Sequence, residues 1–199
     1  MTRNDDVNPT SLLWDGKENT ICAGYSDLAI ITWSFETGAM CRRFQLKARS
    51  PRQGISSNSD TNPKSPIQER PSITALQKQT VDDSTSQQLI AGSSVGRIFF
   101  MLSSSSSVKS VTGHNKSVTG FAWSPSSQDI LISCSLDKTL KFWDVNSIQC
   151  FFNFPLDAPI ANICTFRKCF CLAALNGNVY FCNETKDMAT SRKEVAIPF

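Results

Sequence analysis

The chain has 199 residues and a formal net charge of +3, and 40% of its residues are hydrophobic while only 19% are charged. This composition is too apolar for a chain that is disordered throughout, and no run approaches the ~18 apolar residues of a membrane-spanning helix. The 20 basic and 17 acidic residues are scattered, so charge predicts no direct nucleic-acid binding and no membrane contact. We expect one globular domain, or at most two small ones.

The amino terminus and the cysteines bear on the cellular compartment. The first residues lack the apolar core of a secretory signal, which predicts an intracellular protein of the cytoplasm or nucleus whose eight cysteines are thiols. Most of these cysteines are expected to fill the core. Cys169 and Cys171 alternate along a predicted strand and therefore face one side, where they could bind a soft metal or oxidise. No further ligand lies nearby in the sequence, so core packing is the favoured interpretation and no metal site is predicted.

Two segments have the composition of non-core regions. Residues 1–10 are predicted to form an N-terminal tail, and residues 48–70 a polar, Ser/Pro-rich, disordered insertion. Within the insertion, Ser50 and Ser65 each precede a proline and lie beside a basic residue. Both are candidate phosphorylation sites, and ordinary loop composition is an equally good interpretation of them.

The rest of the chain repeats one pattern. A strand of small residues, a turn and a second apolar strand occur at residues 22–33, 89–101, 132–143 and 172–182. A further candidate strand precedes each of these hairpins, and a fourth strand follows it. The hairpin ends are spaced about 40–45 residues apart once the insertion is set aside, which is the period of a four-stranded propeller blade. The pattern predicts four such blades.

The third unit carries the most specific motif. Gly113-His114 is followed by an apolar strand, then by Ser133, by Asp137 in a turn, and by the terminal Trp143-Asp144. This order resembles a WD repeat (WD40), and the other three units are similar to degenerate repeats of that family. The resemblance implies an all-β WD-repeat β-propeller with about four four-stranded antiparallel blades. It places the blades at residues 11–47, 71–112, 113–157 and 158–199, of which 113–157 is the WD-repeat blade and the others are degenerate.

The resemblance also assigns a role to four side chains of the third unit. In the WD-repeat pattern, Asp137 accepts hydrogen bonds from His114 and the backbone, while His114 and Ser133 link onward to the Trp143 indole. The same residue types could form a nucleophile, base and orienting carboxylate. A buried polar chain of this kind must be nearly fully satisfied, and His114 is the sole histidine, so the structural network is favoured. No catalytic residue, no cofactor and no metal ligand is predicted, and the protein is not expected to be an enzyme.

Function is implied by the resemblance alone. Proteins of this family are mostly non-catalytic scaffolds or adaptors that hold other proteins in a multiprotein complex. Residues 135–160 are also faintly similar to WD-repeat subunits of ribosome-biogenesis (pre-rRNA processing) complexes, which is the alternative. Rings in the family usually have seven blades, so the resemblance implies an incomplete ring that needs further blades or a partner chain to close. A closed four-bladed ring is the minority alternative.

Overall fold

The computed structural model describes residues 7–47, 70–79, 88–102, 107–167, 169–183 and 192–196. Every regular element in these ranges is a β-strand, and they contain no helix that could cross a membrane. Sixteen strands form four separate sheets of four antiparallel strands each, so the all-β prediction with four four-stranded units is confirmed. Residues 48–69 of the predicted insertion, with Ser50 and Ser65, lie outside the described ranges.

Each sheet consists of four consecutive strands, paired in chain order. The first sheet contains β1 (Pro9–Asp15), β2 (Thr20–Tyr25), β3 (Ala29–Ser34) and β4 (Met40–Gln45). The second contains β5 (Ile73–Lys78), β6 (Gln88–Ser93), β7 (Arg97–Leu102) and β8 (Val108–Thr112). The third contains β9 (Val118–Trp123), β10 (Ile130–Ser135), β11 (Thr139–Asp144) and β12 (Gln149–Pro155). The fourth contains β13 (Ile160–Phe166), β14 (Cys169–Ala174), β15 (Asn178–Asn183) and β16 (Arg192–Ala196).

The sheets pack face to face in chain order, because side chains alternate along each strand and both faces of a sheet carry apolar residues. We call the face toward the preceding sheet the front face and the opposite face the rear face. One apolar cluster joins the first sheet's rear face to the second sheet's front face, and two more join the second to the third and the third to the fourth. Among the described residues, no cluster joins the fourth sheet to the first. The described ring is therefore open.

One inter-sheet hydrogen bond recurs at all three junctions. In the first three sheets, the second residue of the first strand is a threonine. Its hydroxyl donates to the backbone carbonyl of the first residue of the next sheet's first strand. Thr74 Oγ1 lies 2.6 Å from the Val118 carbonyl oxygen, Thr119 Oγ1 lies 2.7 Å from that of Ile160, and Thr10 donates to Ile73 in the same way. We call these three bonds the threonine clasps. They fix the spacing of the strands that lie side by side, because a hydroxyl reaches only a carbonyl in hydrogen-bond contact.

A buried ion pair adds to the first junction. The Lys78 ammonium at the end of β5 pairs with Asp15 at the end of β1 and with Glu18, 2.6 Å away. Burial acts to raise the pKa of Asp15, but the hydrogen bonds and the positive charge of Lys78 outweigh it and lower that pKa. Both groups therefore remain charged, and removing Lys78 would leave the Asp15 carboxylate buried without its partner.

The turn between the second and third strands has the same backbone in all four sheets. Its last residue has a left-handed φ in each case: Leu28 (64°), Gly96 (78°), Lys138 (69°) and Gly177 (86°). This conformation strains any residue with a Cβ atom. Glycine is required by contacts at position 96, where an added Cβ atom would lie 2.0 Å from the His114 carbonyl oxygen.

We predict that Gly96→Ala destabilises the protein more than Gly38→Ala. Both glycines have a left-handed φ, of 78° and 65°, so alanine strains the backbone at each by about 1–2 kcal/mol. A Cβ atom at position 38 meets nothing within 4 Å, whereas at position 96 it collides with backbone. Thermal melting of the two variants measures the difference. Equal losses in melting temperature would contradict the close approach of Gly96 to His114.

Candidate functional site

The loop that leaves the second sheet carries His114 into the third sheet. The backbone N–H groups of Gly113 and His114 both donate to the Gly96 carbonyl, over 3.0 and 2.9 Å. Gly113 lies so close to its neighbours that a Cβ atom would be 2.7 Å from Ile98 Cδ1 and 3.0 Å from the Trp143 ring. A glycine before the histidine therefore lets the chain approach closely enough to bury the imidazole, which is 2% exposed.

The structure brings His114, Ser133, Asp137 and Trp143 together. His114 Nδ1 is 3.0 Å from Asp137 Oδ2, and its Nε2 is 2.7 Å from Ser133 Oγ. The Trp143 indole N–H donates to Ser133 Oγ over 2.9 Å. Because a carboxylate only accepts, His114 Nδ1 carries the proton and Nε2 accepts from the Ser133 hydroxyl. The bonds thus run in one direction, from indole to hydroxyl to imidazole to carboxylate.

Asp137 receives further donors from both sides of the junction. The Asn115 backbone N–H donates to Oδ2 over 2.9 Å, and the Thr139 backbone N–H donates to Oδ1 over 3.0 Å. The Thr139 hydroxyl also donates to Oδ1, over 2.6 Å. One carboxylate therefore holds the loop before the third sheet to the turn within it.

Burial sets the charge state of the pair. It lowers the pKa of His114 below its usual value, although the Asp137 carboxylate acts in the opposite direction. Burial acts to raise the pKa of Asp137, but the hydrogen bonds from Thr139 and Asn115, together with His114, produce a net lowering. The site therefore holds a neutral imidazole beside a carboxylate near neutral pH.

The hydroxyl of Ser133 is not exposed as a nucleophilic serine would be. Ser133 and its hydroxyl are fully buried, and the oxygen both donates to His114 and accepts from Trp143. A triad serine needs an exposed oxygen whose base faces the substrate. Here, the Ser133 oxygen is buried and accepts from the Trp143 indole N–H. The geometry fixes the junction of the second and third sheets.

We predict that Asp137→Ala lowers the free energy of unfolding by about 1–3 kcal/mol, because it leaves buried donors without an acceptor. Asp129→Ala is the matched control, since its carboxylate accepts from an exposed Asn146 amide over 3.3 Å. Chemical denaturation measures both variants, and limited proteolysis of Asp137→Ala should show faster cleavage within residues 113–155. Equal stability of the two variants would mean that the network contributes nothing.

We predict that stability falls as the pH is lowered from about 6.5. The unfolded histidine binds a proton below that pH, whereas folded His114 has a lowered pKa and stays neutral. The unfolded state therefore binds more protons in this window, which lowers the free energy of unfolding. Because His114 is the sole histidine, His114→Gln should remove the slope between pH 5.5 and 7, as measured by denaturant titrations. Stability that rises on acidification would instead indicate a charged imidazole.

The cysteines differ from the sequence prediction. Only Cys22, Cys134 and Cys182 are buried, so the expectation that most of them fill the core was wrong. Cys171 on β14 is paired across the strands with the exposed Cys164 on β13. Burial and the neighbouring thiols Cys164 and Cys169 raise the pKa of Cys171.

Three cysteines therefore lie together where the sequence showed two. The third was missed because Cys164 is close to Cys171 through strand pairing and not through sequence spacing. Among the described residues, no group of three or more His, Cys, Asp or Glu side chains is arranged to hold a metal ion. Thr139 and Gly96 were also missed at the His114 network, although Thr139 lies two residues after Asp137, where a turn aspartate commonly binds a hydroxyl.

Sequence comparisons match part of the chain. Residues 105–144 match the family described as WD domain, G-beta repeat. A 56-residue segment is 45% identical to zinc finger CCCH domain-containing protein 62 of Arabidopsis thaliana, and covers 28% of this chain and 13% of that protein. A 62-residue segment is 37% identical to glutamate-rich WD repeat-containing protein 1 of Dictyostelium discoideum, and covers 29% of this chain and 13% of that protein.

Solved structures match nearly the whole chain. A chain in the crystal structure of the mitotic checkpoint complex aligns with 98% of this chain at a TM-score of 0.70 and 16% identity. The structure of U3-55K aligns with 96% at a TM-score of 0.67 and 19% identity. In both cases this chain spans 55% of the matched chain, so it corresponds to about half of each. These likenesses establish the fold.

Proposed function

We propose that this chain, which is a WD-repeat β-propeller protein, is a non-catalytic scaffold that holds other proteins within a multiprotein complex. The observation that carries the proposal is the closed hydrogen-bond network of Ser133, His114 and Asp137. The residues that could most readily have formed a reactive centre are buried and bonded to one another and to Trp143. These hydrogen bonds stabilise the junction of the second and third sheets. A scaffold needs such rigid junctions to hold its partners in a fixed arrangement.

The contact surface that we propose lies at the turns between the second and third strands. The threonine clasps align the starts of consecutive first strands, which pair with the ends of the second strands, so these turns lie at one end of the molecule. Two of them expose apolar side chains: Val95 is 46% exposed and Leu175 is 62% exposed. Exposed apolar residues on rigid turns are typical of protein-binding loops on a β scaffold.

The experiment is affinity purification of the tagged 199-residue chain from cells, compared with Val95→Asp/Leu175→Asp. We expect the wild type to retain a reproducible set of proteins that the double variant loses, while both variants melt at the same temperature. Retention of the same set by the folded double variant would contradict the proposed surface. A turnover that disappears in folded His114→Ala would contradict the non-catalytic proposal.

The purification also tests the alternative role. The similarity of residues 135–160 to WD-repeat subunits of ribosome-biogenesis complexes supports a place in pre-rRNA processing. Recovery of pre-ribosomal proteins that is lost after ribonuclease treatment would favour this alternative. A small set of proteins that survives ribonuclease would favour the general adaptor.

We also propose an intracellular location, in the cytoplasm or the nucleus. Cys41, Cys150 and Cys164 are exposed thiols, and a reducing compartment is where such side chains persist unmodified. Fluorescence microscopy of the tagged chain tests this location, and secretion into the medium would contradict it.

A further inference from the structure

The internal repeat shows what each sheet face packs against. Front faces of the second, third and fourth sheets lie on the rear face of the sheet before them, and these contacts form the three apolar clusters. Two faces lack this cover among the described residues. They are the front face of the first sheet and the rear face of the fourth.

Strand pairing identifies the residues of the open front face. Leu12 pairs with Ala23 as Phe121 pairs with Ser133, and Trp14 pairs with Ile21 as Trp123 pairs with Leu131. In the third sheet these positions are covered by the second sheet: Phe121 is 7% exposed, and Trp123 is half-buried and packs on the apolar cluster of that junction. In the first sheet, Leu12 is 73% exposed and Trp14 is 52% exposed. Among the described residues, no neighbouring sheet covers these apolar side chains, and the one ring contact on Trp14 is the edge of Phe35, with centroids 5.1 Å apart.

Trp14 also lacks a partner that its equivalent has. The indole N–H of Trp123 donates to the Lys78 carbonyl of the preceding sheet over 3.0 Å. The Trp14 indole has no acceptor among the described residues, although it occupies the same place in its sheet. By strand pairing, the position equivalent to Lys78 in the fourth sheet is Thr165, on the innermost strand β13. If the rear face of a fourth sheet packed on the first sheet's front face, the Thr165 carbonyl would therefore be the equivalent acceptor for the Trp14 indole N–H.

The open rear face is apolar in the same way. Its described positions are equivalent to buried residues on the rear face of the third sheet: Phe181 to Phe142, Cys171 to Ile132 and Cys164 to Ala122. The third-sheet residues are at most 3% exposed, whereas Phe181 is 40% exposed and Cys164 is exposed. The three clustered cysteines therefore lie where an inter-sheet core would form.

We infer that the open front face of one copy binds the open rear face of a second copy, and that two copies close an eight-bladed ring. At each of the three junctions within the chain, a rear face packs on a front face. The two open faces are one front face and one rear face, so they can pack in the same way. Two such junctions related by a two-fold axis leave no face uncovered, and eight is within the usual range of four to eight blades. The inference goes beyond the proposed scaffold function and does not depend on it.

The first experiment measures mass and its response to matched variants. Light scattering during gel filtration should give twice the 22.0 kDa of one chain. Leu12→Asp on the front face and Phe181→Asp on the rear face should each raise the dimer dissociation constant at least tenfold. Leu175→Asp, which changes a leucine of similar exposure on a turn, should leave it unchanged. Because the altered side chains are exposed, circular dichroism should show that each variant is folded.

Mixing the two variants tests how the copies are arranged. A ring that contains one Leu12→Asp copy and one Phe181→Asp copy has one wholly native junction, whereas either variant alone has none. The mixture should therefore form a heterodimer at concentrations where each variant is monomeric. A dimer lost with Leu12→Asp only would indicate front-to-front association and overturn the inference. A monodisperse monomer or open-ended aggregates would overturn it as well.

A gain of affinity provides an independent test. At the three inner junctions a threonine clasp donates to the next sheet, but the equivalent position of the fourth sheet is Ala161. Ala161→Thr should add a clasp to Pro9 of the second copy and tighten the dimer several-fold. Ala161→Val has the same shape without the hydroxyl and should not. Equal dimer affinity of the two variants would contradict the proposed register.

Discussion

Every sheet in this molecule has two apolar faces, and the need to cover both determines the rest of the architecture. A sheet that packs on one neighbour can expose a polar side to water, but these sheets have no polar face. The second and third sheets are each held between two others, whereas the first and fourth each pack on one neighbour among the described residues. Three apolar clusters cover the faces in the same way at the three junctions. They join Ile30 to Phe99, Ile90 to Leu131 and Ile132 to Leu172. Polar groups at the junctions have a secondary role: they set the distance and register at which the apolar faces meet.

The polar groups differ between junctions although the apolar packing is alike. The first junction uses the ion pair of Lys78 with Asp15, and the second uses the His114 network. All three share a threonine hydroxyl that donates to a carbonyl. Among the described residues, only the second junction has this network of histidine, serine, aspartate and tryptophan, and it lies within the residues 105–144 that match the WD-repeat family. The three junctions thus share their apolar packing and differ in their polar side chains.

Much of this arrangement could be predicted from the sequence, because strand period, turn residues and the order of Gly113, His114, Asp137 and Trp143 are local signals. The hairpins and the four-stranded units follow directly from them. Contacts between strands distant in sequence could not be predicted in the same way. Cys164 meets Cys171 through strand register, and Lys78 reaches Asp15 across a junction of two sheets. Burial of the cysteines was also mispredicted, since it depends on whether a neighbouring sheet covers the face and not on the residue itself.

The residues that match the WD-repeat family do not coincide with the residues of one sheet. The matched residues begin before β8, the outermost strand of the second sheet, and end with β11 of the third. A single stretch of backbone therefore belongs to two sheets, and His114 is bonded to the turn of one sheet through Gly96 and to the interior of the next through Ser133. Opening of the third sheet releases the segment that anchors β8, so the two sheets cannot open independently. Amide protons of β8 and β10 should consequently exchange as one cooperative unit, although they lie in different sheets.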